Sequence, residues 1–115
     1  MGYWNIKANQ EKKVLNIELV GDLKPEEAHI FIEDFFKAQE KINPKECKLV
    51  FDLGRWFIYP RDVEMMLKDF FIMYKEKGYS VVVMKIFLPQ KELRRKMEIL
   101  AEKVGLETLE FYIVH

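Results

Sequence analysis

Two stretches near the N-terminus alternate apolar and polar residues with the period of a strand. The first is Tyr3-Trp4-Asn5-Ile6-Lys7-Ala8. The second is Val14 to Val20, with Leu15, Ile17 and Leu19 on one face and Asn16 and Glu18 on the other. Joined by the polar Asn9-Gln10-Glu11-Lys12 and ended by Gly21-Asp22, they predict an antiparallel hairpin. The period then changes. Ala28, Phe31, Ile32, Phe35, Gln39 and Ile42 recur at helical spacing after Pro25, with Glu26 and Glu27 facing the positive end of the helix dipole, and Asn43-Pro44 ends the element. Cys47 to Leu53 is a short apolar run bounded by turn residues, which predicts a buried strand. A second helix opens at Pro60, carries Val63, Met66, Leu67, Phe70 and Tyr74 on one stripe, and meets Gly78 as a left-handed cap. Tyr79 to Phe87 contains Val81-Val82-Val83 and reads as a strand covered on both faces. Pro89 opens a third helix with Leu93, Met97, Leu100, Ala101 and Val104 on one face and a Gly105 cap. Thr108 to Val114 forms the last strand.

The order β-β-α-β-α-β-α-β defines an α/β fold. Right-handed crossovers place parallel strands at the centre, with the N-terminal strand antiparallel at an edge. No linker, repeat or low-complexity tract interrupts the chain, so residues 1–115 are expected to form a single domain.

Composition narrows the chemistry. The 19 basic and 19 acidic side chains cancel, so no electrostatic grip on nucleic acid or anionic lipid is expected. Apolar stretches fall short of the ~20 residues needed to cross a bilayer, and no secretory signal is seen. The expectation is a soluble, cytoplasmic protein without direct membrane insertion. Lone Cys47 excludes an internal disulfide framework and a Cys-rich zinc site. Ser80 is the single serine and Thr108 the single threonine, beside fifteen lysines and fourteen glutamates, a thermophile-like balance. Hydroxyl nucleophiles and Ser/Thr phosphorylation sites are correspondingly almost absent.

Neither a Walker-type phosphate loop nor a dinucleotide G-x-G-x-x-G occurs. No G-x-S-x-G surrounds Ser80, which begins a strand. Cys47, beside Lys45 and Lys48, reads as packing. His29 and His115 lack a second ligand at metal spacing, so no metal or cofactor is expected. Met65, Met66, Met73, Met84 and Met97 fall at core spacings.

In open α/β sheets ligands gather beyond the carboxyl ends of parallel strands. That singles out Asp52-Leu53-Gly54-Arg55-Trp56-Phe57-Ile58-Tyr59-Pro60-Arg61-Asp62, read as the connection leaving the third strand. It is a partner-docking or anion-binding edge, or a loop whose Phe57 and Ile58 plug the core. Lys91, Arg94, Arg95 and Lys96 crowd the start of the third helix, where cations oppose the dipole. With Glu92, Glu98 and Glu102 close by, a solvated face accounts for them; contact with an acidic partner or phosphate is the alternative.

The hairpin ending in Val20-Gly21-Asp22-Leu23, the Leu49-Val50-Phe51-Asp52-Leu53-Gly54 strand, Phe57-Ile58, Lys77-Gly78-Tyr79-Ser80-Val81-Val82-Val83 and Val104-Gly105-Leu106 together resemble the STAS domain of anti-sigma-factor antagonists. The resemblance covers nearly the whole chain and rests mostly on glycine and apolar positions. It implies a non-enzymatic module that docks a regulatory, kinase-like protein or serves as an accessory subunit of a transporter. The family's D-S-S-G positions are held here by Tyr59-Pro60-Arg61-Asp62, so its phosphorylatable serine is absent and no serine switch is expected. Family members usually carry a further helix after the fifth strand. Its absence would favour self-association, such as a homodimer, or a permanent partner.

The expected protein-binding residues are therefore Arg55, Trp56, Tyr59, Arg61 and Asp62, since aromatic and arginine anchors dominate interfaces. A reading of another class is a small-ligand or nucleotide site using Asp52, Lys91, Arg94 and Arg95. A third is an inert structural subunit docked by its sheet edge.

Overall fold

A computed structural model describes the backbone of residues 2–56, 60–87 and 90–114, and their side chains except at positions 25, 55, 56 and 60–66. The alternating N-terminal runs form β1 (Tyr3–Asn9) and β2 (Val14–Gly21), paired antiparallel from Tyr3↔Val20 to Asn9↔Val14. Their four-residue turn is closed by the Asn9 side chain, which accepts from the Lys12 amide, and by Lys13 at φ 56°. Helix α1 (Pro25–Gln39) begins where the Glu27 carboxylate accepts from the Lys24 amide. This caps a backbone group as well as complementing the dipole.

The remaining elements are β3 (Lys48–Trp56), α2 (Pro60–Lys77), β4 (Val81–Phe87), α3 (Lys91–Val104) and β5 (Leu109–Val114). Two differences from the sequence reading lie before β3. Helix α1 stops at Gln39 rather than near Pro44, and Pro44–Glu46 forms a 3-10 turn capped by Asn43, whose side chain accepts from the Lys45 amide. Gly78 and Gly105 take the left-handed conformation expected of helix caps, at φ 79° and 77°.

Strand order in the sheet is β1-β2-β3-β4-β5, with β1 antiparallel and β2 to β5 parallel. The expected mixed sheet with an antiparallel N-terminal edge is the one observed. Because each crossover steps to the next strand in the same direction, right-handed connections put all three helices on one face. The core agrees. Leu15, Ile17 and Leu19 of β2, Leu49, Phe51 and Leu53 of β3, and Val82, Met84 and Ile86 of β4 share one buried cluster with residues of α1, α2 and α3. Phe35 of α1 is fully buried, stacked on Phe51 and edge-on to Phe70. The helix stripes are as the spacing predicts for Leu67, Phe70 and Tyr74, with Phe71 added as a fully buried neighbour. Val63 and Met66 lie outside the described side chains.

The other face of the sheet is open, and this corrects the reading of β4 as a strand covered on both faces. In β4 the burial alternates: Val82, Met84 and Ile86 are buried, while Val81, Val83 and Lys85 are only partly so and Phe87 is exposed. A β-branched run therefore does not require two covering layers; here its odd-numbered members line a half-solvated surface. Ser80 precedes β4, and its hydroxyl donates to the Cys47 carbonyl. Among the described residues no helix is long and apolar enough to cross a membrane.

Candidate functional site

The third strand runs to Trp56, three residues further than the sequence suggests, so Asp52 to Trp56 are strand and not connection. What made them look like a loop is a bulge. Glu18 of β2 pairs with Asp52, and Val20 pairs with Arg55, so Leu53 and Gly54 stand opposite the single residue Leu19. Pairing of β3 with β4 also stops, at Asp52↔Lys85. A bulge leaves backbone groups without ladder partners, and such groups must be satisfied elsewhere.

Two side chains satisfy them. The Asp52 carboxylate accepts from the Gly54 amide at 3.2 Å. The Gln90 amide, just ahead of α3, donates to the Leu53 carbonyl at 2.9 Å and accepts from the Phe87 amide at 2.7 Å. Gln90 thus replaces a rung of the ladder between the separating ends of β3 and β4. Across the gap, the Phe87 ring covers Gly54 closely: a Cβ at Gly54 would lie 3.2–3.3 Å from it. The exit of β3 is therefore braced from the strand itself, from β4 and from the start of α3.

Three residues separate Trp56 from Pro60, the first residue of α2. The backbone of Arg55 and Trp56 is the end of β3, in register with Val20 and Gly21. Arg61 and Asp62 belong to the first turn of α2. Tyr59, with Phe57 and Ile58, lies outside the described residues, as do the side chains of Arg55, Trp56, Arg61 and Asp62.

The alternative ligand set is placed on two sides of the sheet. Asp52 lies mid-strand on the open face, in register with Lys85. Arg94 packs from the helical side, its guanidinium 5.3 Å from the centre of the Phe111 ring and 2.8 Å from the Glu98 carboxylate. Lys91 and Arg95 are exposed on α3. The fold does not gather these four around one pocket. It also lacks the feature that makes strand ends a ligand crevice, because the strand order never reverses and no switch point is formed.

Elsewhere, Cys47 is fully buried, and burial pushes its thiol above the ordinary value. That suits packing rather than nucleophilic chemistry. The Tyr74 phenol is raised well above its usual range by burial, and Tyr79 likewise. Tyr79 donates to the buried Gln39 side chain, tying the start of β4 to the end of α1. On β1, the Trp4 indole donates to Asp34 of α1 at 3.0 Å. Among the described residues no cluster of His, Cys, Asp or Glu could hold a metal ion.

Gln90 and the open face were missed by sequence reasoning, although both leave a signal. Glutamine is a poor helix N-cap, so its position invites another role. Lys85, set inside an otherwise apolar strand, marks a side of β4 that meets water.

No protein-family model and no curated protein sequence matches this chain. A solved structure does: an uncharacterised protein of the DUF3478 family from Shewanella loihica, described as having a SpoIIAA-like fold. The similarity covers 99% of this chain and 86% of that one, with a TM-score of 0.58 and 19% sequence identity. The chain thus has the SpoIIAA-like fold, that of the STAS and anti-sigma-antagonist proteins its sequence resembles.

Proposed function

We propose that this protein is a non-enzymatic regulatory module that binds a protein partner through the segment running from the end of β3 into α2. The observation that carries the reading is the braced bulge. Two side chains, Asp52 and Gln90, and the ring of Phe87 are committed to fixing one strand exit, and that exit leads directly into Arg55, Trp56, Tyr59, Arg61 and Asp62. Recognition residues are effective when a rigid scaffold presents them, because less ordering entropy is lost on binding. The SpoIIAA-like fold supports the same assignment.

Binding through this segment is constitutive. The positions of the family's serine switch are Tyr59-Pro60-Arg61-Asp62, and the only aliphatic hydroxyls, Ser80 and Thr108, lie at the opposite, amino ends of β4 and β5.

The test is affinity capture from the source organism with the full chain as bait, followed by titration of the captured protein in purified form. Trp56→Ala combined with Arg61→Ala should abolish binding while leaving the thermal melt in place. Undiminished binding by that double variant would overturn the proposal.

A further inference from the structure

The open face of the sheet carries a pattern of its own. Strand register places its side chains in rows. One row reads Lys7, Asn16, Val50, Val83, Glu110 from β1 to β5, and the next reads Asn5, Glu18, Asp52, Lys85, Tyr112. Charge sign is antisymmetric about β3. Lys7 on β1 is balanced by Glu110 on β5, and Glu18 on β2 by Lys85 on β4. Phe87 and Tyr112 are exposed large hydrophobics, at 38% and 60%. Among the described residues Lys7, Glu18 and Glu110 make no ion pair, and Lys85 lies 5.9 Å from the centre of the Tyr112 ring.

From this pattern we infer that the open face is the interface of a homodimer whose two-fold axis runs along β3. A two-fold rotation about that axis lays the sheet against its own image with β1 over β5, β2 over β4 and β3 over β3, each row facing itself reversed. Lys7 then meets Glu110 of the partner subunit, and Glu18 meets Lys85 of the partner subunit. Both charge pairs form twice by symmetry. A partner of one charge sign would find half of the flanking charges repulsive, whereas the chain's own image sets Lys7 against Glu110 and Glu18 against Lys85. Aligned packing of twisted sheets is an established geometry, with faces about 10 Å apart.

The axis also brings the two Asp52 carboxylates towards each other, with Lys85 in register beside each. Like charges also meet on the axis at Lys48, the open-face residue of β3 in register with Val14 and Val81. Asp52 is the like-charge contact within those two rows, and it yields a distinctive expectation. Asp52→Asn keeps an oxygen to accept the Gly54 amide but removes the like charge, so it should tighten the dimer.

The experiment is sedimentation velocity of the full chain at micromolar concentration, with circular dichroism to verify folding. The native chain should be a dimer. Glu18→Lys and Lys85→Glu should each weaken it by about tenfold or more, since like charges juxtaposed at an interface cost several kcal/mol. The two together should restore it. Lys7→Glu and Glu110→Lys, at exposed positions on the edge strands, provide a second swap with the same expected outcome. A native monomer, a dimer indifferent to either single swap, or single swaps that the paired variant does not rescue would each overturn the inference. None of these outcomes depends on binding through the β3–α2 segment.

Discussion

The side chain of Gln90 hydrogen-bonds Leu53 of β3 and Phe87 of β4 at once, standing in for the strand pairing that ends at Asp52 and Lys85. Gln90→Ala should lower unfolding free energy by about 1–2 kcal/mol in urea melts, the scale of leaving partly buried backbone groups unpaired. Gln90→Glu should lose a comparable amount. It keeps an acceptor for the Phe87 amide but turns a carboxylate towards the Leu53 carbonyl. Hydrogen exchange at Phe87 should accelerate in the alanine variant and not in the glutamate one.

Gly54 is small because Phe87 lies over it. Gly54→Ala should cost about 1 kcal/mol through that contact, and Phe87→Ala in the same chain should remove most of the cost. A double-mutant cycle read by thermal melts checks the coupling, which is expected between residues in direct contact.

Tyr79 and Gln39 satisfy one another in the interior. Tyr79→Phe leaves the Gln39 oxygen without its donor and should cost about 1–3 kcal/mol. Adding Gln39→Leu should recover part of that loss, because an apolar pair leaves no buried acceptor orphaned. Equilibrium unfolding of the two variants measures the difference.

Alkaline stability follows from the two buried phenols. Tyr74 and Tyr79 are raised above the ordinary value in the folded chain. Above about pH 10 the unfolded chain releases these protons while the folded chain keeps them. The folded state then binds more protons, so stability falls as pH rises. The contribution is intact below the unfolded value and is lost on the way up towards the folded one. Tyr74→Phe should flatten this decline between neutral pH and pH 11 or so, with little change at pH 7. Denaturant midpoints across that range check it.

Regulation by phosphorylation is not expected at the aliphatic hydroxyls. Ser80→Ala and Thr108→Ala should leave capture of the protein partner unchanged, as measured by titration of the purified complex. Ser80→Ala should cost about 1 kcal/mol of stability or less, the worth of its part-buried hydrogen bond to the Cys47 carbonyl.

The architecture was largely legible because period and punctuation agree: alternating Leu15, Ile17 and Leu19, helical Phe31, Phe35 and Leu67, Phe70, Tyr74, and glycines 78 and 105 at the caps. What escaped were features set by neighbours in space. The end of β3 is hidden by a bulge braced in part by Gln90, thirty-seven residues from the Leu53 carbonyl that it bonds. The openness of β4 depends on all the crossovers leaving on one side, which a run of valines cannot reveal. Asp52 was legible as a residue of interest, but its place on the open face rather than at the strand end came from register alone.

Sequential strand order has a kinetic consequence. Every neighbouring pair of strands is also consecutive in the chain, so each new strand docks beside the one made just before it. No strand must wait for a later segment to fill a gap next to it. Each parallel pairing closes a loop no longer than one helical crossover, which keeps loop-closure entropy smaller than in a parallel sheet whose neighbouring strands are distant in the chain. Assembly can therefore advance from the hairpin outward, one helix and strand at a time, in the direction of synthesis.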